Sequence, residues 1–141
     1  MYDPWRHADT ELPHVTIHER ADLPPGLLGL TDGASIWLSR RLTAAARTCT
    51  LAHEIMHIER GPTPDIVWLA DREHRIIDRA VARRLIDLDT FVDVLAERDG
   101  MIDRGVADTL HVDWPTLLHF VDALTPGERA MIDAELARRA A

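Results

Sequence analysis

The spacing of hydrophobic and polar residues changes along the chain. Near the N-terminus, apolar and polar residues alternate in HVTIHER (14–20), and a short apolar segment, ASIWLS, occupies 34–39. Alternation and β-branched residues are typical of strands, so we predict a strand in each segment. The sequence between them, at 22–33, is predicted to form turns because it contains Pro24, Pro25, Gly26, Gly29 and Gly33.

From Thr43 onward the apolar positions follow helical spacing. A long helix is predicted from Thr43 to Arg60, where Gly61 and Pro62 end it. A second long helix is predicted to begin at Asp65 or Trp68 and to end at Leu88, and shorter helices are predicted at 89–98, 104–110, 114–124 and 127–139. The polar, proline-containing residues 1–13 are predicted to form a loop or a frayed turn. These patterns predict an α+β fold with a short N-terminal sheet and a helical C-terminal half.

Composition narrows the class of protein. The 141 residues fit one domain, and 46% apolar with 28% charged residues is an ordinary balance for a globular protein. No apolar run is long enough to span a membrane, and the polar start lacks the features of a secretory signal. Cys49, the only cysteine, is expected to be a small buried residue. We therefore expect a cytoplasmic protein that has no membrane partner.

The charge of the chain argues against a protein that grips nucleic acid directly. The formal net charge is −8, and all basic residues are arginines. Residues 106–124 have the spacing of a helix-turn-helix, but the predicted second helix contains no Arg or Lys with which to contact DNA. We expect no direct tight nucleic-acid binding, and we interpret 106–124 as a helical packing or partner-docking module.

The segment TLAHEIMHIERG (50–61) carries the strongest chemical signal. At about 100° per residue, a helix places His53, Glu54 and His57 on one face and the apolar residues on the opposite face. Histidines at positions i and i+4 can bind one zinc ion, and a glutamate beside them can act as a general base on water. The alternative is an ordinary polar helix face, but the position of this motif in mid-helix after a strand favours a metal site. Glu59 is expected to be a solvated residue at the helix end.

A catalytic zinc ion usually has a third protein ligand. On the next predicted helix, His74 shares the inward face with Ile77, Val81 and Leu85, opposite a stripe formed by Arg72, Arg75, Arg79 and Arg83. His74 is therefore the favoured third ligand. Glu73, at the margin of that face, is the alternative, and a site without a third protein ligand also remains open. Asp78 lies one turn after His74, where it could orient a ligand imidazole or pair with a neighbouring arginine.

These two segments together resemble the ImmA/IrrE family of metallopeptidases from phages and mobile elements. TLAHEIMHIERG followed by REHRIIDRAVARRLI is similar to the family's motifs, and the likeness covers roughly residues 24–88. The family's second helix contains E-x-x-A-D, in which the Glu is the third zinc ligand. Aligning Asp78 with the Asp of that pattern puts His74 in place of the Glu, which is a departure from the family.

The resemblance implies a zincin-like metallopeptidase core at 1–88, with a helical C-terminal extension at 89–141 packed on it. It implies a zinc-dependent endopeptidase with Glu54 as the catalytic residue, His53, His57 and His74 as Zn²⁺ ligands, and a transcriptional repressor as substrate. By analogy with zincins, ASIWLS would be a sheet edge that binds substrate as an added strand. The alternative function is a non-catalytic metal-binding module that docks on a repressor or host protein. Tyr2 is the only tyrosine, so the histidines that could stabilise an oxyanion are His14, His18, His111 and His119, although each is more typical of a surface or core histidine.

Overall fold

The computed structural model describes residues 1–141 and has an α+β fold. Three strands form one small sheet: β1 (Thr16–Arg20), β2 (Gly29–Thr31) and β3 (Ser35–Ser39). A short helix precedes the sheet, and all the other helices follow it. The helices are α1 (Pro4–Glu11), α2 (Ala44–Arg60), α3 (Val67–Leu85), α4 (Leu88–Ala96), α5 (Arg104–Thr109), α6 (Trp114–Ala123) and α7 (Pro126–Ala140).

The sheet has the strand order β1-β3-β2, with β1 parallel and β2 antiparallel to β3. A tight turn joins β2 to β3: the Asp32 side chain accepts hydrogen bonds from the backbone N–H groups of Ala34 and Ser35, and Gly33 supplies a positive φ of 93°. The prediction that ASIWLS forms a sheet edge is therefore wrong, because β3 is the central strand. The two edge strands are β1 and the short strand β2, which lies in the segment predicted to be turns.

Residues 1–13 contain a helix, so the prediction of a loop or frayed turn is also wrong. Asp3 is the N-cap of α1, and its side chain accepts hydrogen bonds from the backbone N–H groups of Trp5 and Arg6. Pro4 occupies the first helical position, where its missing N–H costs nothing. Pro4 and Ala8 are buried, so α1 is held by tertiary packing as well as by its cap.

Helix α2 contributes to both hydrophobic cores of the protein. Its residues Leu51 and Ile55 pack with Ala8, Ile36 and Leu38 in a small core between α1, α2 and the sheet. Its opposite side supplies Cys49, Ala52 and Met56 to a larger core that includes residues on both sides of position 88. Burial of a Leu or Ile side chain contributes roughly 1.5–3 kcal/mol, so this double packing fixes the position of α2.

Helices α3 and α6 pack side by side. The buried residues Ile77, Val81 and Leu85 of α3 belong to the same core as Leu117 and Phe120 of α6. The arginines predicted to form a solvated stripe are exposed, as expected. Two of them form ion pairs that tie α3 to the C-terminal helices: Arg79 with Asp122, and Arg83 with Glu128. None of the helices combines the length and hydropathy that a bilayer crossing requires.

Candidate metal centre

The two histidines of the HEIMH motif face each other on α2. Thr43 caps the helix, and the regular helix that follows places His53 and His57 one turn apart. Their Nε2 atoms are 3.0 Å apart. Two nitrogens that bind one tetrahedral zinc ion at about 2.0–2.1 Å must lie about 3.3–3.4 Å apart, so only a small adjustment separates the observed pair from a zinc-binding pair.

The side chain of His74, on α3, lies beside the imidazoles of His53 and His57. Its ring centroid lies 5.3 Å from that of His57 and 6.4 Å from that of His53. The side chain of His74 is exposed and lines a cleft, rather than facing the core as its position beside Ile77 suggested. As the side chains stand, no three His, Cys, Asp or Glu residues form a closed set of ligand atoms. The structure thus brings three imidazoles together without closing the ligand set.

Asp78 contacts His53 on the side away from His57. Its Oδ1 atom lies 3.1 Å from Nδ1 of His53, whereas the neighbouring Arg79 pairs with Asp122. Burial is the largest single effect on Asp78 and opposes its ionisation. The hydrogen bond and charge interaction with His53, together with the charge interactions with His119 and His74, outweigh burial and hold the pKa of Asp78 below its usual value. An ionised Asp78 can accept a hydrogen bond from Nδ1–H of His53, which leaves the lone pair of His53 on Nε2, the atom that faces His57.

Helix α6 adds a fourth histidine to this group. Nε2 of His119 lies 3.6 Å from Oδ2 of Asp78, and the side chain lines the cleft. The sequence indicated His119 only as one of four histidines that could stabilise an oxyanion. Its place on an amphipathic helix was the one available signal, and helical spacing does not show which neighbour the helix packs against.

Glu54 is buried between α2 and β2, with 7% of its surface exposed. Gly29 of β2 lies directly over it: a Cβ atom at position 29 would be 3.2 Å from Oε1 of Glu54. Burial raises the pKa of Glu54, and the positive charge that His53 can carry only partly offsets this effect. A carboxylate whose pKa is raised is a stronger base than an exposed glutamate.

The electrostatics around His57 keep its imidazole neutral. Burial and the neighbouring imidazoles of His53 and His74 lower its pKa to about 4, although the Glu73 and Asp78 carboxylates act in the opposite direction. A neutral imidazole keeps the lone pair that metal binding requires. His57 is therefore in the form of a metal ligand at neutral pH.

Glu73, the alternative third ligand, is engaged elsewhere. Both of its carboxylate oxygens accept hydrogen bonds from Arg60, at the end of α2. This pairing with Arg60 lowers the pKa of Glu73. Glu73 does not line the cleft, whereas His74 does. To bind a metal ion beside His53 and His57, Glu73 would have to give up its paired arginine.

The histidines lie in an open cleft of about 930 Å³. Residues 27–33, which include the edge strand β2, form one wall; α2 forms the floor; and α3 with the start of α6 forms the other wall. No arginine lines this cleft although the chain has 16 basic residues. The carboxylates that line it belong to Asp32, Glu54, Asp78 and Asp113.

Donor chemistry and spacing fit a zinc ion better than a hard cation. The side chains that converge are imidazoles, which suit zinc, whereas magnesium and calcium prefer oxygen ligands.

Two other residues considered from the sequence lie outside the cleft: Glu59 pairs with Arg84, and the Tyr2 hydroxyl hydrogen-bonds to Nδ1 of His7. Cys49 is buried, as expected, with 4% of its surface exposed.

Comparisons with known proteins add no family assignment. No protein-family model matches the chain, and searches of the curated proteins and of the solved structures gave no match either. Similarity to the ImmA/IrrE family therefore stays a prediction that depends on the HEIMH segment and the helix after it.

Proposed function

We propose that this protein is a zinc-dependent endopeptidase. The observation that carries the proposal is the pair of Nε2 atoms of His53 and His57, 3.0 Å apart in an open cleft that also contains the buried carboxylate of Glu54. Two adjacent imidazoles with a glutamate beside them are the components of metal-assisted hydrolysis. His74 is the proposed third ligand because it lines the cleft while Glu73 is paired with Arg60.

Each residue of the site has a separate role in the proposed reaction. A bound zinc ion supplies Lewis-acid chemistry, which polarises a peptide carbonyl and lowers the pKa of water. Glu54 removes a proton from the attacking water and later delivers it to the leaving amine, so the C–N bond breaks with no net change in the enzyme. Asp78 holds His53 in the tautomer that presents Nε2 to the metal.

The edge of the sheet supports a polypeptide substrate. Strand β2 pairs with β3 on one side only, and no strand of the sheet pairs with its other side, where a substrate could add a strand. The exposed side chains of Leu28 and Leu30 border the cleft and offer apolar contacts to such a segment. Because the cleft has carboxylates and no arginine, we propose a neutral or basic segment as substrate. The resemblance to ImmA/IrrE proteins favours a repressor-type protein of a phage or mobile element.

The test compares wild-type protein with Glu54→Gln on a peptide library derived from a cellular proteome, with cleavage followed by mass spectrometry. Glu54→Gln keeps the size of the side chain but cannot accept the proton, and loss of a general base costs about 10²–10⁴ in rate. Zinc content should be unchanged. Glu59→Gln is the matched control, because Glu59 lies on the same helix but outside the cleft. The Glu59→Gln protein should cleave the peptides like the wild type. Equal cleavage by Glu54→Gln would overturn the proposed role.

A second function, docking without cleavage, is favoured by one observation. The only tyrosine, Tyr2, is bonded to His7 away from the cleft, so no tyrosine is available there to stabilise an oxyanion. In this alternative the protein binds a repressor or host protein through the metal-containing cleft. If wild type and Glu54→Gln both bind zinc and neither yields any fragments, docking replaces hydrolysis as the proposed function.

A further inference from the structure

We propose that His119 is a positioning residue that fixes Asp78 against His53, so that the helical C-terminal half of the chain completes the metal centre. The inference rests on the proposed zinc site, and it adds a residue that lies outside both the HEIMH segment and α3. His119 contacts neither the paired Nε2 atoms nor a substrate in this proposal. It acts through Asp78.

The two oxygens of Asp78 each face a different imidazole. Oδ1 lies 3.1 Å from Nδ1 of His53, and Oδ2 lies 3.6 Å from Nε2 of His119. The first distance is within the range of a hydrogen bond, and the second is a contact between two polar groups that is slightly too long for a direct hydrogen bond. A carboxylate with a partner on each oxygen is restricted in rotation about its χ2 angle. Oδ1 is thereby kept directed at His53.

The packing of α6 on α3 fixes this arrangement. His119 stands between the buried core residues Leu117 and Phe120, so its backbone cannot shift without disturbing the core. The ion pair between Arg79, the residue after Asp78, and Asp122, three residues after His119, joins the same two helices close to the contact. The His119 side chain itself is 41% exposed, so its replacement should not unfold the protein.

The consequence concerns the tautomer of His53. If Nδ1–H donates a hydrogen bond to Asp78, the free lone pair is on Nε2, so the ring is already in the metal-binding tautomer before zinc binds. Replacing a side chain that contacts a ligand histidine typically weakens metal binding by about 10–100-fold. His119 is one contact further away, so we expect its loss to weaken zinc binding by roughly 3–10-fold, below that range.

Zinc affinity, measured by competition with a chromophoric chelator, tests the proposal in the full chain. His119→Leu should bind zinc more weakly than the wild type, whereas His119→Gln, whose amide N–H can reach Asp78, should recover most of the affinity. Combining His119→Leu with Asp78→Asn should be no weaker than Asp78→Asn alone, because His119 acts only through that carboxylate. His14→Leu is the matched control. His14 is exposed and lies outside the cleft, so this variant should have the zinc affinity of the wild type.

A second measurement needs no metal. Long-range ¹H–¹⁵N NMR correlations of the zinc-free protein report which nitrogen of His53 carries the proton. His119→Leu should raise the fraction of the tautomer protonated on Nε2, and His119→Gln should not. Unchanged affinity and tautomer in His119→Leu, or additive effects in the double variant, would overturn the role of His119. Absence of zinc binding in the wild type would instead overturn the proposed function, and the NMR result would still decide whether His119 positions Asp78.

Discussion

Oδ1 of Asp78, on α3, lies 3.1 Å from Nδ1 of His53, on α2, and this contact links the HEIMH helix to the helix that follows it. We predict that Asp78→Asn weakens zinc binding by about 10–100-fold, because the amide no longer fixes the proton of His53 on Nδ1. Chelator competition would measure the loss. Asp71→Asn, an exposed change on the same helix, serves as the control and should bind zinc like the wild type.

The positions of His74 and Glu73 predict opposite results for two adjacent substitutions. His74→Ala should lose most of the zinc affinity because it removes the third imidazole from the cleft. Glu73→Ala should keep the affinity within roughly threefold, since its carboxylate is paired with Arg60, and a partly exposed ion pair contributes little to stability. Metal analysis after dialysis compares the two proteins. Retention of zinc by His74→Ala together with its loss in Glu73→Ala would reverse the ligand assignment.

Most helices after Thr43 were predictable from the sequence because local signals determine them, although α3 ends at Leu85, three residues before its predicted end. Thr43 and Gly61 mark the two ends of α2, and the observed helix, Ala44–Arg60, matches the predicted one within a residue. Asp113 and Thr125 accept hydrogen bonds from the backbone at the starts of α6 and α7, as Asp and Thr before proline-containing segments favour. Helical periodicity also predicted the burial of Ile77, Val81 and Leu85 on α3, although His74, which was placed on the same face, is exposed.

The features that the sequence did not predict depend on contacts between distant segments. Strand β2 has only three residues, preceded by prolines, and it is a strand because β3 pairs with it. The central position of β3 follows from the parallel pairing of β1, which periodicity cannot detect. His119 belongs to the site only because α6 packs on α3.

The close approach of Gly29 to α2 predicts a stability defect. A Cβ atom at position 29 would lie 2.6 Å from Cγ2 of Thr50, too close for any contact between carbon atoms. Gly29→Ala should therefore lower the free energy of unfolding by about 1–3 kcal/mol, the usual cost of overpacking. Urea denaturation measures this. Adding Thr50→Ser, which removes Cγ2, should recover part of the loss; no recovery would mean that the clash with Thr50 is not the cause.

Cys49 should be nearly inert toward alkylating reagents in the folded protein. Burial raises the pKa of its thiol from 9.0 to about 11, so the thiolate fraction at pH 8 falls by about 100-fold. Alkylation by iodoacetamide, followed by mass spectrometry, should be slower than in urea by at least that factor. Comparable rates in the two conditions would contradict the burial of this side chain.

The same shift of the Cys49 pKa has a consequence for stability. Because the folded state keeps the thiol protonated, this contribution to stability is complete below pH 9 and is lost as the pH rises from 9 to about 11. Cys49→Ala should therefore lose less of its stability over that interval than the wild type. Urea denaturation of both proteins at several alkaline pH values makes the comparison, and parallel losses would show that Cys49 does not contribute.

The position of α6 predicts that the protein alone does not bind DNA tightly. In a helix-turn-helix, the first residues of the second helix contact base edges in the major groove. Here the corresponding residues, Asp113, Pro115 and Thr116, line the histidine cleft, and α6 packs on α3. The net charge of −8 adds repulsion from phosphates. Gel shifts and fluorescence anisotropy at physiological salt, with random duplexes and with operator DNA of a mobile element, should give no specific complex. A sequence-specific complex with a Kd near 10⁻⁹ M, roughly the middle of the range for specific DNA-binding proteins, would require α6 to leave the cleft and would contradict this assignment.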